Sequence, residues 1–153
     1  MTNTIKRILV PVDFSSESRA ALWRATELAA ALGASVDVLH VLDLPEARHM
    51  ATEFYVPLPP EYREELHRGA QKHLDEWLST ANVPAAVHRD LAEGKPSAEI
   101  VDYARNHADD MIVIGTHGRG GVSHLLLGSV AEKVVRSAPC PVLTVRAASA
   151  AGA

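Results

Sequence analysis

Between residues 115 and 129 the chain reads GTHGRGGVSHLLLGS, with five glycines, two histidines and one arginine. Gly115 is followed after two residues by Gly118, and after nine more by Gly128 and Ser129. Glycine lets a backbone approach a ligand closely and adopt positive φ, which is the expectation for Gly115 and Gly118. Ser129 and Glu132 form S-x-x-E, a capping-box pattern that predicts a helix N-terminus there. Such a terminus gathers N–H groups without intrahelical partners at the positive end of the dipole, and phosphate is the natural anion for it. Arg119 and Lys133 are close enough in sequence to add charge. The plain alternative is a connecting loop before a helix that binds nothing.

Other chemistries fit these residues less well. The chain has no G-x-x-x-x-G-K-[ST], and GRGGVS carries Ser123 where a dinucleotide fingerprint needs its third glycine. Phosphoryl transfer needs positioned charge and a residue that orients the nucleophile. Asp13 and His117 are the candidates, but the pattern offers no separate substrate pocket. The eight histidines show no metal-ligand spacing; His67 and His73, six apart, fall off one helical face. Cys140 stands between Pro139 and Pro141 and reads as a packed thiol, with nothing nearby to lower its pKa.

Strands and helices must alternate to position these residues. RILVPV (7–12) is a short apolar run whose Pro11 removes a ladder donor, so the strand should be leaving the sheet there. Ser15 is the expected N-cap of a helix with Leu22, Ala25, Ala29 and Leu32 on one face, and Gly33 its C-terminal stop. SVDVLHVL (35–42) is a second strand. Residues 43–60 hold four prolines and form a long loop, a kind that is usually functional or mobile. Leu66, Ala70, Leu74, Trp77 and Leu78 then mark a helix face. Residues 85–94 alternate Val87 and Leu91 with polar neighbours, as an edge strand does. A helix opens at Pro96; MIVIG (111–115) is a strand buried on both faces; a helix spans 129–138; PVLTVR (141–146) is the last strand. The tail after residue 146 has no pattern and is expected to be disordered.

This order predicts an α/β fold, a single-domain, doubly wound, five-stranded parallel sheet of Rossmann-like kind with helices on both faces. Strands 7–12 and 111–115 are the most apolar and should be adjacent at the centre. Ligands in such sheets bind outside the carboxyl ends of the strands, where strand order reverses. The ends carrying PVD and GTHG would then meet the glycine loop at that point.

Bulk properties agree. At 153 residues the chain has room for one domain with a proper core. Its net charge of −4 argues against a nucleic-acid binder that relies on broad phosphate contact. One cysteine excludes an internal disulfide and suits a reducing compartment. Pro11 and Asp13 interrupt the first apolar run before it could serve as a signal segment, and no run approaches the ~20 residues of a membrane span. A soluble cytoplasmic domain is the expectation.

The spacing G-x2-G-x9-G-[ST], met by Gly115, Gly118, Gly128 and Ser129, resembles the nucleotide-binding signature of the universal stress protein family. ILVPVDFS, VLHVL, MIVIGTHGRGG and LLGSVAEKVVRSAPCPVLTV extend the resemblance over nearly the whole chain. It implies strand order 3-2-1-4-5, a nucleotide at the switch point and usually a homodimer. The intact signature implies the ATP-binding subgroup and a nucleotide-dependent sensor or regulator in stress response. Matched residue by residue, Asp13 would lie beside the ribose, and Pro11 and Val12 on the adenine side. Val41 would meet the adenine edge through its backbone. Gly115, His117 and Gly118 would wrap ribose and phosphates, with Thr116 and Arg119 in the same loop; Gly128, Ser129 and Val130 would hold the phosphates. Any Mg²⁺ would be held mainly by phosphates and water. Plain readings stand beside these: Asp13 as a turn or cap before Ser15, Val41 as strand core. A slow ATPase or phosphotransferase on the same site, or an interaction protein whose site stays empty, are the alternatives. The implied order also leaves 141–146, apolar on both faces, at an edge. Antiparallel pairing with a second copy through Val142, Leu143, Thr144 and Val145 would cover it.

Overall fold

The computed structural model describes residues 4–44, 56–83, 86–117 and 127–147. The elements in chain order are β1 (Arg7–Pro11), α1 (Ser16–Leu32), β2 (Ser35–Leu42), α2 (Pro60–Ala81), β3 (His88–Glu93), α3 (Pro96–Asn106), β4 (Met111–Gly115), α4 (Ser129–Ser137) and β5 (Val142–Val145). The five strands are parallel in the order β3-β2-β1-β4-β5. The expected order, the central β1–β4 pair and the edge position of β3 therefore all hold.

Side-chain alternation along the strands explains the two layers of helix. Ile8 and Val10 of β1, Val36 and Val38 of β2 and Val113 of β4 share a buried core with Leu22 and Ala25 of α1 and Leu74 and Trp77 of α2. The residues between them, Leu9, Leu39, Val41, Ile112 and Ile114, pack with Ile100 and Ala104 of α3 and Ala131 and Val134 of α4. Both sheet faces are covered, so the central strands carry apolar side chains at nearly every position.

The expected punctuation is in place. Ser15, extended at φ −76° and ψ 164°, accepts the Ser18 N–H on its side chain; Gly33 ends α1 at φ 67°. Pro11 is the last residue of β1, and Pro96 opens α3. Boundaries differ by a few residues. Pro60 is already helical, so the connection after β2 is shorter than 43–60, and residues 45–55 lie outside the described residues. Strand β3 starts at His88 rather than 85, although Val87 still packs on the core. Strand β5 runs Val142–Val145, and α4 ends at Ser137 with Ala138 as its cap. The tail from residue 148 lies outside the described residues. Among the described residues no helix is long and apolar enough to cross a membrane.

Candidate functional site

The β1–β4 ladder pairs only Ile8 with Met111 and Leu9 with Ile112, although the strands run on to Pro11 and Gly115. Pro11 has no N–H with which to continue it. Beyond that point β1 leans on β2, where Pro11 is in register with Leu39 and the Val12 N–H donates to the Leu39 carbonyl at 2.8 Å. The ladder between the two central strands thus stops short of their carboxyl ends, at the reversal of strand order.

The β1–α1 turn lies on one side of this point. Oδ1 of Asp13 accepts the backbone N–H of Ser15 at 3.1 Å and also its hydroxyl. The Asp13 N–H donates to Ser18 Oγ at 3.4 Å, and Ser15 Oγ accepts the Ser18 N–H at 3.1 Å. The capping reading of Asp13 is therefore present, whatever else the carboxylate does. Phe14 turns the chain at φ 66°, a left-handed conformation that a bulky residue rarely adopts. His40 Nδ1 lies 2.8 Å from the Val12 carbonyl. A carbonyl only accepts, so Nδ1 carries the proton. Val41 is 9% exposed, with its side chain in the core shared with α3 and α4. The strand-core reading holds for its side chain, which leaves only its backbone for any ligand.

The β4–α4 connection lies on the other side. Thr116, 4% exposed, donates its N–H to the Val145 carbonyl at 2.9 Å and accepts the Gly128 N–H at 2.6 Å. One buried residue thus ties the base of the loop to β5 and closes it on itself. Thr116 Oγ1 lies 3.1 Å from His117 Nδ1. Gly118 and Arg119 fall outside the described residues.

Two expectations require correction. Gly115 is not at positive φ; the described glycines with positive φ are Gly33 and Gly94. A Cβ at Gly115 would stand 2.8 Å from the backbone carbon and Cβ of Glu17, so the glycine admits the first turn of α1 against β4. The capping box is also absent. Gly128, at φ −68° and ψ 161°, is the N-cap of α4, and Ser129 is the first helical residue. An N-cap must be extended so that its side-chain oxygen faces the free N–H groups, and Ser129 comes one position too late. Glu132 instead pairs with Arg136 at 2.9 Å. Gly128 has no side chain with which to cap α4, and the helix starts beside Thr116 and the end of β4. Val130, half-buried, anchors this turn to the α3–α4 core.

The remaining reactive side chains have other tasks. His67 Nε2 meets Glu93 at 2.9 Å, and His73 stacks on Phe14 with ring centroids 4.0 Å apart. Among the described residues no three His, Cys, Asp or Glu side chains are grouped to hold a metal. Cys140 is half-buried; burial, then Asp109 and Asp110, push its thiol pKa up, as suits a packing residue. Sequence reasoning missed Phe14, Ser18, His40 and His73. Of these only Ser18 had a local signal, three residues past the N-cap serine.

The universal stress protein family model matches residues 4–146. Universal stress protein MJ0531 of Methanocaldococcus jannaschii is 34% identical over 148 residues, which cover 94% of this chain and 84% of that protein. Among solved structures, MJ0577 of the same organism is 29% identical with a TM-score of 0.75, covering 96% and 99% of the two chains. The universal stress protein of Archaeoglobus fulgidus solved in complex with dAMP is 26% identical with a TM-score of 0.60, covering 93% and 98%. The chain belongs to the universal stress protein family.

Proposed function

We propose that this member of the family binds an adenine nucleotide, ATP in the first place, and acts as a nucleotide-dependent sensor or regulator in stress response. The observation that carries the reading is the meeting, at the carboxyl ends of β1 and β4 where their ladder has ended, of the Val12–Asp13 turn, the Thr116 staple and the start of α4 at Gly128. The residues fit the ligand's chemistry. Backbone N–H groups of Ser129 and Val130 would take phosphate oxygens at the positive end of the helix. Asp13 would take a ribose hydroxyl, and Pro11, Val12 and the Val41 backbone would flank the base. The loop residues Gly115, His117, Gly118 and Arg119 would close over ribose and phosphates. The Archaeoglobus relative solved in complex with dAMP supports an adenine nucleotide as the class of ligand. Residues 1–146 would form the nucleotide-binding domain, with 147–153 as a tail, in the cytoplasm.

Calorimetric titration with ATP, ADP and AMP, with and without Mg²⁺, is the test. Wild type should bind ATP, and Gly128→Val should bind at least ~10-fold more weakly, because its side chain would stand in the phosphate space. No binding by folded wild type at millimolar nucleotide would leave only the interaction-protein reading. Bound ATP should persist for minutes. The best-placed carboxylate, Asp13, already accepts two bonds from Ser15 and is poorly suited as a general base. Turnover near the ~10 s⁻¹ of ordinary enzymes would favour the phosphotransferase instead.

The same reading includes a homodimer through β5. This edge strand exposes Leu143, 37% accessible, and neighbouring α4 exposes Val135, 45% accessible. Pairing with a second copy would cover them and satisfy the free edge. Light scattering should give twice the chain mass for wild type and the chain mass for Leu143→Asp. A monomeric wild type at micromolar concentration would exclude this assembly.

A further inference from the structure

Phe14 is the least expected residue of the β1–α1 turn. It holds φ 66° without being a glycine, directly after Asp13. A conformation of that kind persists only where its surroundings over-determine it. Three rings do so here. His40 of β2 lies 4.4 Å from the Phe14 ring, His73 of α2 stacks on it at 4.0 Å with the planes 26° apart, and Trp77 meets it edge-on at 5.8 Å. The His40 ring simultaneously donates to the Val12 carbonyl, whose own N–H is held by Leu39. One side chain therefore grips the peptide before Asp13 while its ring packs on the residue after it. Trp77 is in turn covered by the Arg19 guanidinium, 5.1 Å from the ring centroid, from the first turns of α1.

We infer that the His40–Phe14–His73 stack is a positioning device for the nucleotide site, holding the Val12–Asp13 turn in its binding geometry before any ligand arrives. The inference rests on the nucleotide reading above. It extends the site's support to α2, a helix that supplies none of the proposed ligand contacts. His40 fixes the turn from the sheet, and His73, exposed on α2, closes the stack from outside. Without the rings the left-handed turn would relax, and binding would have to restore it at the expense of affinity.

Calorimetry with ATP on the full chain tests this, each variant first being checked by circular dichroism. His73 is exposed, so its replacement leaves the fold intact. His73→Ala should weaken ATP binding ~5-fold, the scale of one lost aromatic pair. His73→Phe, which keeps the ring, should restore wild-type affinity. Phe14→Ala should weaken binding ~10-fold or more, since it loses all three ring contacts yet still resists positive φ, while Phe14→Gly should recover several-fold of that loss because glycine accepts the angle. A merely structural role would lower the melting temperature of these variants without this ordering of affinities. If wild type binds ATP and His73→Ala binds equally well, the positioning role is overturned while the nucleotide reading stands. If wild type binds no nucleotide, both fall.

Discussion

The two ends of the sheet solve opposite problems. At the amino-terminal end charge is turned inward. The Asp110 carboxylate accepts the N–H groups of Lys6 and Arg7 at 2.8 and 3.0 Å, and the Arg7 guanidinium reaches Asp37 at 2.5 Å and Asp109 at 3.7 Å. The Asp109 side chain is fully buried, and neither of its oxygens has a hydrogen-bond partner among the described residues. Among the described residues of the carboxyl end no such charge is buried. Asp13 is held within its own turn by Ser15, Thr116 is tied to Val145 and Gly128, and α4 starts at Gly128 without a side-chain cap. One end closes the domain and bears the electrostatic cost of doing so. The other, among the described residues, ties its turns by hydrogen bonds to Ser15, Val145 and Gly128 and buries no charge.

The comparison breaks most severely at Gly115, where the open end depends on close packing. A side chain there must displace the backbone of Glu17 rather than a flexible group. Gly115→Val should destabilise the fold by ~3 kcal/mol or more, by overpacking with no room to relax. Urea unfolding measures it. A loss under ~1 kcal/mol would mean that α1 does not dock on β4 as described, and would return Gly115 to a purely ligand-facing role.

The closed end should reveal itself through pH. Burial first, then the neighbouring Asp37, raise the Asp109 pKa from 3.8 to about 6, against the opposing pull of Arg7. A carboxyl whose folded pKa lies above its unfolded value holds its proton more tightly in the native state. Its stabilising contribution is full below about pH 4 and is lost as pH rises through 6. The shift corresponds to at most ~3 kcal/mol. Asp109→Asn, a neutral isostere, should therefore be more stable than wild type at pH 8 by ~1–2 kcal/mol and nearly equal to it at pH 4. Denaturation at both values decides the matter. An Asn variant less stable at pH 8 would show that the Arg7 ion pair outweighs the burial of the charge.

These two regions were not equally legible in the sequence. The layered fold was, because apolar runs such as MIVIG and helix stops such as Gly33 are local signals. The glycine spacing likewise marked the β4–α4 connection. The buried charges were invisible. Asp37 alternates within SVDVLHVL like a solvent-facing strand residue, and only the covering of both sheet faces turns it inward toward Arg7. The Phe14 stack was invisible for the same reason, since it joins residues from three elements. At Ser129 the local pattern misled. S-x-x-E was present, but the extended residue that starts α4 is Gly128, and no pattern in Ser129 and Glu132 themselves shows which of two adjacent residues will be the extended one.

The smallest effect separates two serines at two helix starts. Ser15 Oγ accepts the Ser18 N–H and donates to Asp13, so Ser15→Ala should cost ~1 kcal/mol of stability, the usual worth of an N-cap. Ser129 is exposed, lies inside the first turn of α4 and caps nothing, so Ser129→Ala should change stability by no more than ~0.5 kcal/mol. Thermal melts of the two variants without nucleotide should differ accordingly. Added ATP should then reverse the order of concern. The ligand-induced rise in melting temperature should survive in Ser15→Ala, whose Asp13 keeps the Ser15 backbone N–H as a partner. It should shrink in Ser129→Ala if the hydroxyl joins the helix N–H groups on phosphate, since the rise scales with the logarithm of ligand concentration over Kd. An undiminished rise in Ser129→Ala would assign phosphate binding to the backbone alone. A large loss of stability without nucleotide would mean that Ser129 caps α4 after all, contrary to the position of Gly128.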